Sequence, residues 1–208
     1  TIPNRVTGIG TYAFHMCENL KTVINTSNLT FTRGSYDNGY VAYYADVIIN
    51  ALNCNIDGDY IWSEIDGVNV LASYIGNTSE VVLPADYKGG SYVIGSLAFS
   101  DCENLSSVVI SRNITKIGEY TFYNCQSLLS ISIPDGVESI GDYAFYNCTN
   151  LLKIIIPDSV KEIGCEAFYN TGYFKDITNR VDGVLYIGNH LVDVDSSLSG
   201  EYEIKSGT

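Results

Sequence analysis

The stretch Leu128-Leu129-Ser130-Ile131-Ser132-Ile133 ends in an alternation. Ile131 and Ile133 are expected to point one way and Ser130 and Ser132 the other, as in a strand with one buried face. Pro134 should end the strand, because proline cannot donate the next ladder hydrogen bond. The segment DGVESIG then reads as a turn and a short extended piece ending at Gly141. DYAFYNC reads as one helical turn that aims Ala144, Phe145 and Cys148 inward. The same order of apolar and polar positions returns along the chain. Phe99, Phe122, Phe145 and Phe168 are 23 residues apart at each step, and Ile94, Ile117, Ile140, Ile163 and Gly95, Gly118, Gly141, Gly164 keep that period. Cys102, Cys125 and Cys148 follow it, with Thr171 next, and so do Leu105, Leu128 and Leu151, with Phe174 next. A fifth copy lies at Ile9, Gly10, Ala13, Phe14, Cys17 and Leu20. A fixed period in this range marks a solenoid. One unit cannot bury its own Phe and Cys. Stacked units, about 4.8 Å apart along a parallel sheet, place Phe on Phe and Cys on Cys, and each buried Phe contributes roughly 1.5–3 kcal/mol.

The string LxxIxIP…VxxIGxxAFxxCxxL resembles the BspA-like, or Treponema-type, leucine-rich repeats, over residues 1–25 and about 83–174. The resemblance implies a leucine-rich-repeat solenoid, mainly β with short helical turns, built of right-handed stacked 23-residue repeats. It also implies a non-enzymatic secreted or cell-surface module that binds other proteins, such as host extracellular matrix or other cells. No binding residue carries over, because the shared motif consists of core positions.

Two regions depart from the motif and are read as β-hairpin insertions. In residues 26–82, GYVAYYADVII suggests a strand, a tight turn at Ala45-Asp46 and a second strand. DYIWSEIDGVNVLASYIGNTSEVVLP suggests a three-stranded meander turning at Asp66-Gly67 and Gly76-Asn77. Residues 175–208 repeat the idiom with Asp182-Gly183 and Gly188-Asn189. With no Pro- or Ser-rich linker, one solenoid body is expected over 1–208: an N-terminal repeat at 1–25, the insertion at 26–82, four tandem repeats at 83–174, and a β-hairpin segment at 175–208 that reads as leading into a missing continuation.

Composition narrows the function. The 208 residues are 46% hydrophobic and 17% charged, which suits a folded, β-rich chain and not a disordered one. The net charge of −13, with eleven basic residues scattered, argues against nucleic acid or an anionic membrane surface as partner. No apolar run reaches the roughly 18 residues of a membrane span, so no membrane insertion is expected in this segment. No signal peptide is visible, and the extracellular expectation comes from the resemblance alone.

Candidate chemistry is sparse. Six cysteines invite a disulfide reading, but Cys17, Cys102, Cys125 and Cys148 fit better as small apolar residues in a ladder whose parallel inward bonds do not suit a bridge. Cys54 and Cys165 lie off that ladder. No CxxC points to zinc. His15 stands where other repeats have Tyr123, Tyr146 and Tyr169, and His190 falls at a hairpin turn. No GxSxG, HExxH or GxxxxGK[ST] string occurs. Asp and Glu fall at turns and exposed repeat positions, so an enzyme acting on a surface polymer is the remote alternative. DVDSSLSGE (193–201) departs from a calcium loop at its sixth position, Leu198. Asn25, Asn28, Asn77, Asn104, Asn113 and Asn147 form Asn-x-Ser/Thr sequons. No cofactor and no metal are expected.

Two repeated surfaces remain as candidate protein-binding faces. The outward strand positions, Thr22, Ser107, Ser130, Lys153 and Ile24, Val109, Ser132, Ile155, should line a concave sheet, where solenoids commonly bind. Tyr123, Tyr146 and Tyr169, with Tyr12, Tyr120 and Tyr143 beside them, form the alternative face, since tyrosine is enriched at interfaces. The competing role for the whole chain is a spacer that displays another domain.

Overall fold

In a computed structural model, residues 2, 5–18, 20, 22–25, 27–31, 35, 36, 38–44, 47–50 and 54–196 are described. They fall into two compact units, residues 1–64 and 65–208.

In the first unit, β1 (Thr22–Asn25) pairs in parallel with β2 (Val47–Asn50), and Ile2 bridges Asn25 on the other edge of β1. Between the strands lie a 3-10 turn (Asn38–Tyr40) and the one-turn helix α1 (Val41–Tyr44). The expected first strand of GYVAYYADVII is therefore helical, and the Ala45-Asp46 turn lies outside the described residues. The physical reason is pairing. A parallel partner cannot be reached by a two-residue hairpin and needs a crossover. The described residues between β1 and β2 thus form a crossover containing the 3-10 turn and α1, not a hairpin. The unit's core is Ile2, Val23, Phe31 and Val41, with Val6, Ile9, Phe14, Leu20, Leu29 and Ile48 packed against it. β3 (Asn55–Asp57) and β4 (Tyr60–Ile65) form an antiparallel hairpin.

The second unit is the regular solenoid. One parallel wall runs β5 (Val68–Tyr74), β7 (Tyr92–Ile94), β9 (Ile114–Ile117), β11 (Ser139–Ile140) and β13 (Glu162–Ile163). The other consists of the parallel pairs β6 (Glu80–Val82) with β8 (Ser107–Val109) and β10 (Ser130–Ser132) with β12 (Lys153–Ile155). A backbone bond from Leu129 N to Ser106 O (3.2 Å) carries the wall from one pair to the next, and one from Leu152 N to Leu129 O (3.1 Å) extends the β10–β12 pairing. The expected meander stops at β5. Residues 80–82 pair in parallel with β8, so Gly76-Asn77 leads into the solenoid wall and is not a hairpin turn.

The AFxxC segments close each coil. They contain no α-helix. Two left-handed residues fold each one into successive tight turns: Tyr120 and Asn124, then Tyr143 and Asn147, then Glu166 and Asn170, all with φ between 50° and 62°. Local bonds such as Tyr146 N to Tyr143 O (3.1 Å) hold the shape. Alternate N–H groups are left to reach the next coil: Tyr143 N to Cys165 O (2.9 Å), Phe145 N to Ala167 O (2.7 Å) and Asn147 N to Tyr169 O (3.1 Å). An α-helix would consume those donors internally. Little helix and many inter-coil bonds are two sides of one choice.

The inward ladder is as the period demands. Phe99, Phe122, Phe145 and Phe168 are buried, with ring centroids 5.1–5.2 Å apart and nearly parallel planes. Tyr74 continues the stack at 5.0 Å from Phe99. The last coil leads into α2 (Gly172–Lys175), capped by Thr171 Oγ1 accepting from Phe174 N, and a 3-10 turn (Ile177–Asn179). The antiparallel sheet β14 (Arg180–Val181), β15 (Val184–Ile187), β16 (His190–Val194) follows, with both expected turns present. Residues 197–201 of the calcium-loop-like string lie outside the described residues.

Candidate protein-interaction faces

The strand face is built by alternation. In β10, Ile131 is buried while Ser130 and Ser132 are exposed, and β6, β8 and β12 repeat the pattern. Register sets Glu80 beside Ser107, Val82 beside Val109, Ser130 beside Lys153 and Ser132 beside Ile155. The columns in the second unit are therefore Glu80, Ser107, Ser130, Lys153 and Val82, Val109, Ser132, Ile155. Leu129 and Leu152 add to them just before the strands. Val82, Val109, Leu129, Leu152 and Ile155 are 48–70% exposed, a run of large apolar side chains left in water. Glu80, Val82, Leu129 and Leu152 escaped the motif alignment. Glu80 and Val82 sit one period before Ser107 and Val109 with a four-residue insertion between, which hid them from a strict count of 23.

One expected member is corrected. Ile24 is 6% exposed and cannot belong to an exposed face. β1 is an inner strand, flanked by Ile2 and β2, and Val23, Ile24 and Asn25 are buried in succession. Consecutive burial means both faces of the strand are covered, as in parallel sheets generally. Thr22 lies in the same strand, and its side chain is outside the described residues. Both belong to the first unit, whereas the other six strand-face residues belong to the second.

The tyrosine face also divides between the units. In the second, Tyr120 stacks on Tyr143 (4.8 Å), Tyr123 on Tyr146 and Tyr146 on Tyr169 (5.5 Å each), and Phe174 packs against Tyr169 at 5.0 Å. The rings of neighbouring coils thus stack on one another, and Tyr169 is 43% exposed. The Tyr143 phenol is pushed above its usual range by Cys165 and then Glu166, and that of Tyr146 by desolvation and then Glu166, so both remain neutral and protonated well past physiological pH. In the first unit Tyr12 stacks on Tyr40 (5.4 Å), and the exposed His15 meets both rings edge-on.

One position after Tyr123, Tyr146 and Tyr169 runs a ladder the motif reading missed. Asn170 Nδ2 donates to Asn147 Oδ1 (2.6 Å), Asn147 Nδ2 to Asn124 Oδ1 (2.6 Å), and Asn124 Nδ2 to Asp101 Oδ1 (2.8 Å). The signal was in the sequence: Asp101, Asn124, Asn147 and Asn170 keep the 23-residue period, and Asn tolerates the left-handed backbone these positions adopt. The sequon residue Asn147 is engaged in this ladder, and Asn25 is buried.

The described cysteines are all free thiols. Cys125 donates to Phe99 O (3.1 Å) and Cys148 to Phe122 O (3.0 Å), both buried. A hydrogen bond with Cys148 and burial drive the Cys125 pKa far up, and burial, then Asp101, pushes Cys102 to about 11. Cys17 differs from the ladder expectation in being exposed, whereas Cys125 and Cys148 are buried. Cys165 is exposed, and burial raises the pKa of the half-buried Cys54. Among the described residues no group of three or more His, Cys, Asp or Glu could hold a metal ion. A cleft of about 190 Å³ beside the last coil is lined by Ile163, Glu166, Phe168, Phe174, Leu191 and Asp193, and Asp193 is held by Arg180 at 2.6 Å.

The BspA type leucine-rich repeat region model matches residues 1–36 and 74–198 in six copies. A leucine rich cell surface protein from Faecalibacterium prausnitzii A2-165 is similar at 35% identity and a TM-score of 0.51, over 58% of this chain and 35% of that one. A leucine-rich repeat protein from Bacteroides capillosus ATCC 29799 is similar at 26% identity and a TM-score of 0.51, over 59% of this chain and 94% of that one. The chain thus spans about a third of the Faecalibacterium protein. No curated protein matches. No helix among the described residues is long and apolar enough to cross a membrane. Repeats of this kind are generally protein–protein interaction modules. With six motif copies over most of its length, the chain belongs to the BspA type leucine-rich repeat family.

Proposed function

We propose that this chain is a non-enzymatic protein-binding module of a cell-surface or secreted protein, and that it binds through the strand face of its second unit. The observation that carries this reading is the exposed apolar run Val82, Val109, Leu129, Leu152 and Ile155 beside Ser107, Ser130, Ser132 and Lys153. Exposed apolar surface on a regular sheet favours association. Its small hydroxyls and single cation cost little to desolvate against a flat partner or a strand edge. The tyrosine face has better hot-spot chemistry, but its rings are already stacked on each other. The similarity to a protein described as a cell surface protein supports the location, and binding to extracellular matrix or to other cells is the role proposed there.

The test is capture of extracellular-matrix proteins by the purified chain. Ser130→Glu/Ser132→Glu should abolish capture, and Tyr123→Ser/Tyr146→Ser should leave it intact, with both variants folded. Loss in the tyrosine variant alone moves the site to the aromatic face. No capture by the parent chain favours a spacer that displays another domain.

A further inference from the structure

The strand face of the second unit carries more than apolar surface. Its polar side chains lie in a line with a charge of opposite sign at each end. Register places Glu80 beside Ser107 and Ser130 beside Lys153. The bond from Leu129 N to Ser106 O sets Ser107 beside Ser130, just as the bond from Leu152 N to Leu129 O accompanies the pairing of Ser130 with Lys153. One row therefore runs Glu80, Ser107, Ser130, Lys153, and all four are exposed. Three strand spacings of about 4.8 Å separate its ends, about 14 Å in all. At that span the two charges cannot pair with each other, and among the described residues neither has an ion-pair partner.

The two serines between them are also unspent. Elsewhere the repeats use hydroxyls as struts between coils: Ser106 Oγ donates to Ser79 O (2.9 Å), Ser111 Oγ to Ala85 O (2.8 Å) and Ser159 Oγ to Val137 O (3.0 Å). The Ser107 and Ser130 hydroxyls make no hydrogen bond among the described residues. Each coil also sets a large exposed apolar side chain next to the row. On the first two coils these are Val82 and Val109, two positions after the row, and on the next two they are Leu129 and Leu152, one position before it. The row is thus a polar line, negative at Glu80 and positive at Lys153, bordered by apolar groups along its length.

We propose that this row, within the binding role proposed above and resting on it, recognises an extended segment of the partner whose basic and acidic side chains stand four residues apart on one face. The basic group meets Glu80 and the acidic group meets Lys153. The span selects the backbone. Positions i and i+4 of a strand share a face and lie about 13–14 Å apart, which matches the row. An α-helix presents its same-face positions at about 10.5 Å (i+7) or about 16.5 Å (i+11), and neither matches. The residue midway between the charges falls over Ser107 and Ser130, with Val109 and Leu129 bordering them. Threonine suits that place, with a methyl for the apolar groups and a hydroxyl for the serines. Complementary charges fix register and reject wrong partners more than they add affinity, so they give selectivity to a face otherwise made of small and apolar groups.

Amide NMR of the full chain, labelled with nitrogen-15 and titrated with blocked nine-residue threonine peptides, tests this. In one peptide a lysine and a glutamate stand four residues apart. In the others both charges are lysine, both are glutamate, or the lysine and glutamate are two residues apart. The first peptide should move the amides of residues 106–109 and 129–132 and bind about two- to fivefold more tightly than each of the others, an advantage that salt removes. Glu80→Lys should turn the preference to the two-glutamate peptide, and Lys153→Glu to the two-lysine peptide. Glu80→Gln replaces Glu80→Lys if the latter loses its folded spectrum, and should make the first peptide and the two-glutamate peptide bind alike. Equal binding of all four peptides, binding of none, or a preference unchanged by both charge reversals overturns the proposal. Its failure is distinct from that of the binding role. A chain that captures matrix proteins through Ser130 and Ser132 but shows no peptide preference loses only this recognition rule. A chain that keeps the peptide preference but captures no matrix protein loses the matrix role and keeps the rule.

Discussion

Residues 9–20, IGTYAFHMCENL, and residues 140–151, IGDYAFYNCTNL, are spelled almost alike. Their backbones agree as well. Tyr12 and Tyr143 are left-handed, as are Met16 and Asn147, and the local bonds His15 N to Tyr12 O (3.0 Å) and Tyr146 N to Tyr143 O (3.1 Å) match. Their burial does not agree. Ala144, Phe145 and Cys148 are fully buried, while Ala13 and Cys17 are exposed and Phe14 is only half-buried. The motif therefore encodes the shape of a coil locally, and the neighbouring coils decide how much that shape stabilises. A solenoid's stability is a sum of unit and interface terms, and these two segments differ in the interface term.

The largest test of that difference is a pair of truncations. Phe145→Ala should cost on the order of 3–5 kcal/mol, because its ring lies between two others and leaves a cavity. Phe14→Ala should cost about 1–2 kcal/mol for a ring that is half in water. Equal losses in denaturant unfolding would mean that identical letters carry identical energy. The glycines give the next contrast. A Cβ on Gly141 would lie 2.6 Å from Glu119 N and 2.7 Å from Gly118 C, against backbone that cannot move aside alone. Gly141→Ala should cost about 1–3 kcal/mol through overpacking. Gly10→Ala meets nothing within 4 Å and should stay within about 0.5 kcal/mol of the parent.

The period explains which features were legible in the sequence. Phe, Cys, Leu and Gly columns at a fixed spacing can only be satisfied by stacking, so the solenoid, the inward rings and the outward Ser130 and Ser132 followed directly. The Asp182-Gly183 and Gly188-Asn189 turns followed from their residue types. What the sequence hid was pairing partners. Residues 80–82 and 47–50 are strands on either reading, but their parallel partners lie 27 and 25 residues away. No local pattern separates that from a hairpin. Ile24 was misplaced for the same reason: its alternation with Val23 resembles that of the second unit, and only the flanking Ile2 and β2 bury both. The AFxxC turn looked helical because a helix and a left-handed turn both bring residues three apart together. The Asn ladder was visible as a column but carries no apolar signal.

That ladder yields a smaller contrast. Asn147 both donates and accepts within it, while Met16 at the matching place can do neither. Asn147→Ala should cost about 1–2 kcal/mol, from two lost amide bonds and a less tolerant left-handed residue. Met16→Ala should be near neutral. A neutral Asn147→Ala would reduce the ladder to an incidental row.

The smallest energetic effect, but the sharpest contrast by position, lies in the cysteines. Cys17 and Cys148 occupy one column, exposed in one coil and buried in the other. Thiolate is the reactive form, so labelling reports both access and pKa. Cys17 and Cys165 should react with a thiol reagent at once. Cys102, with its pKa raised to about 11, should react slowly near neutral pH, at a rate rising about tenfold per pH unit as the thiolate fraction grows. The direction follows from the sign of the shift: raising the pKa favours the neutral thiol, so reactivity appears only as pH climbs toward it. Cys125 and Cys148 should react only on unfolding, since their S–H groups are buried and donate to the carbonyls of Phe99 and Phe122. Mass spectrometry of the labelled native chain separates the sites. Cys148 labelling as fast as Cys17 would show that the coil at 140–151 opens as readily as the one at 9–20, and the contrast between the two would then rest on packing in a single conformation and not on stability.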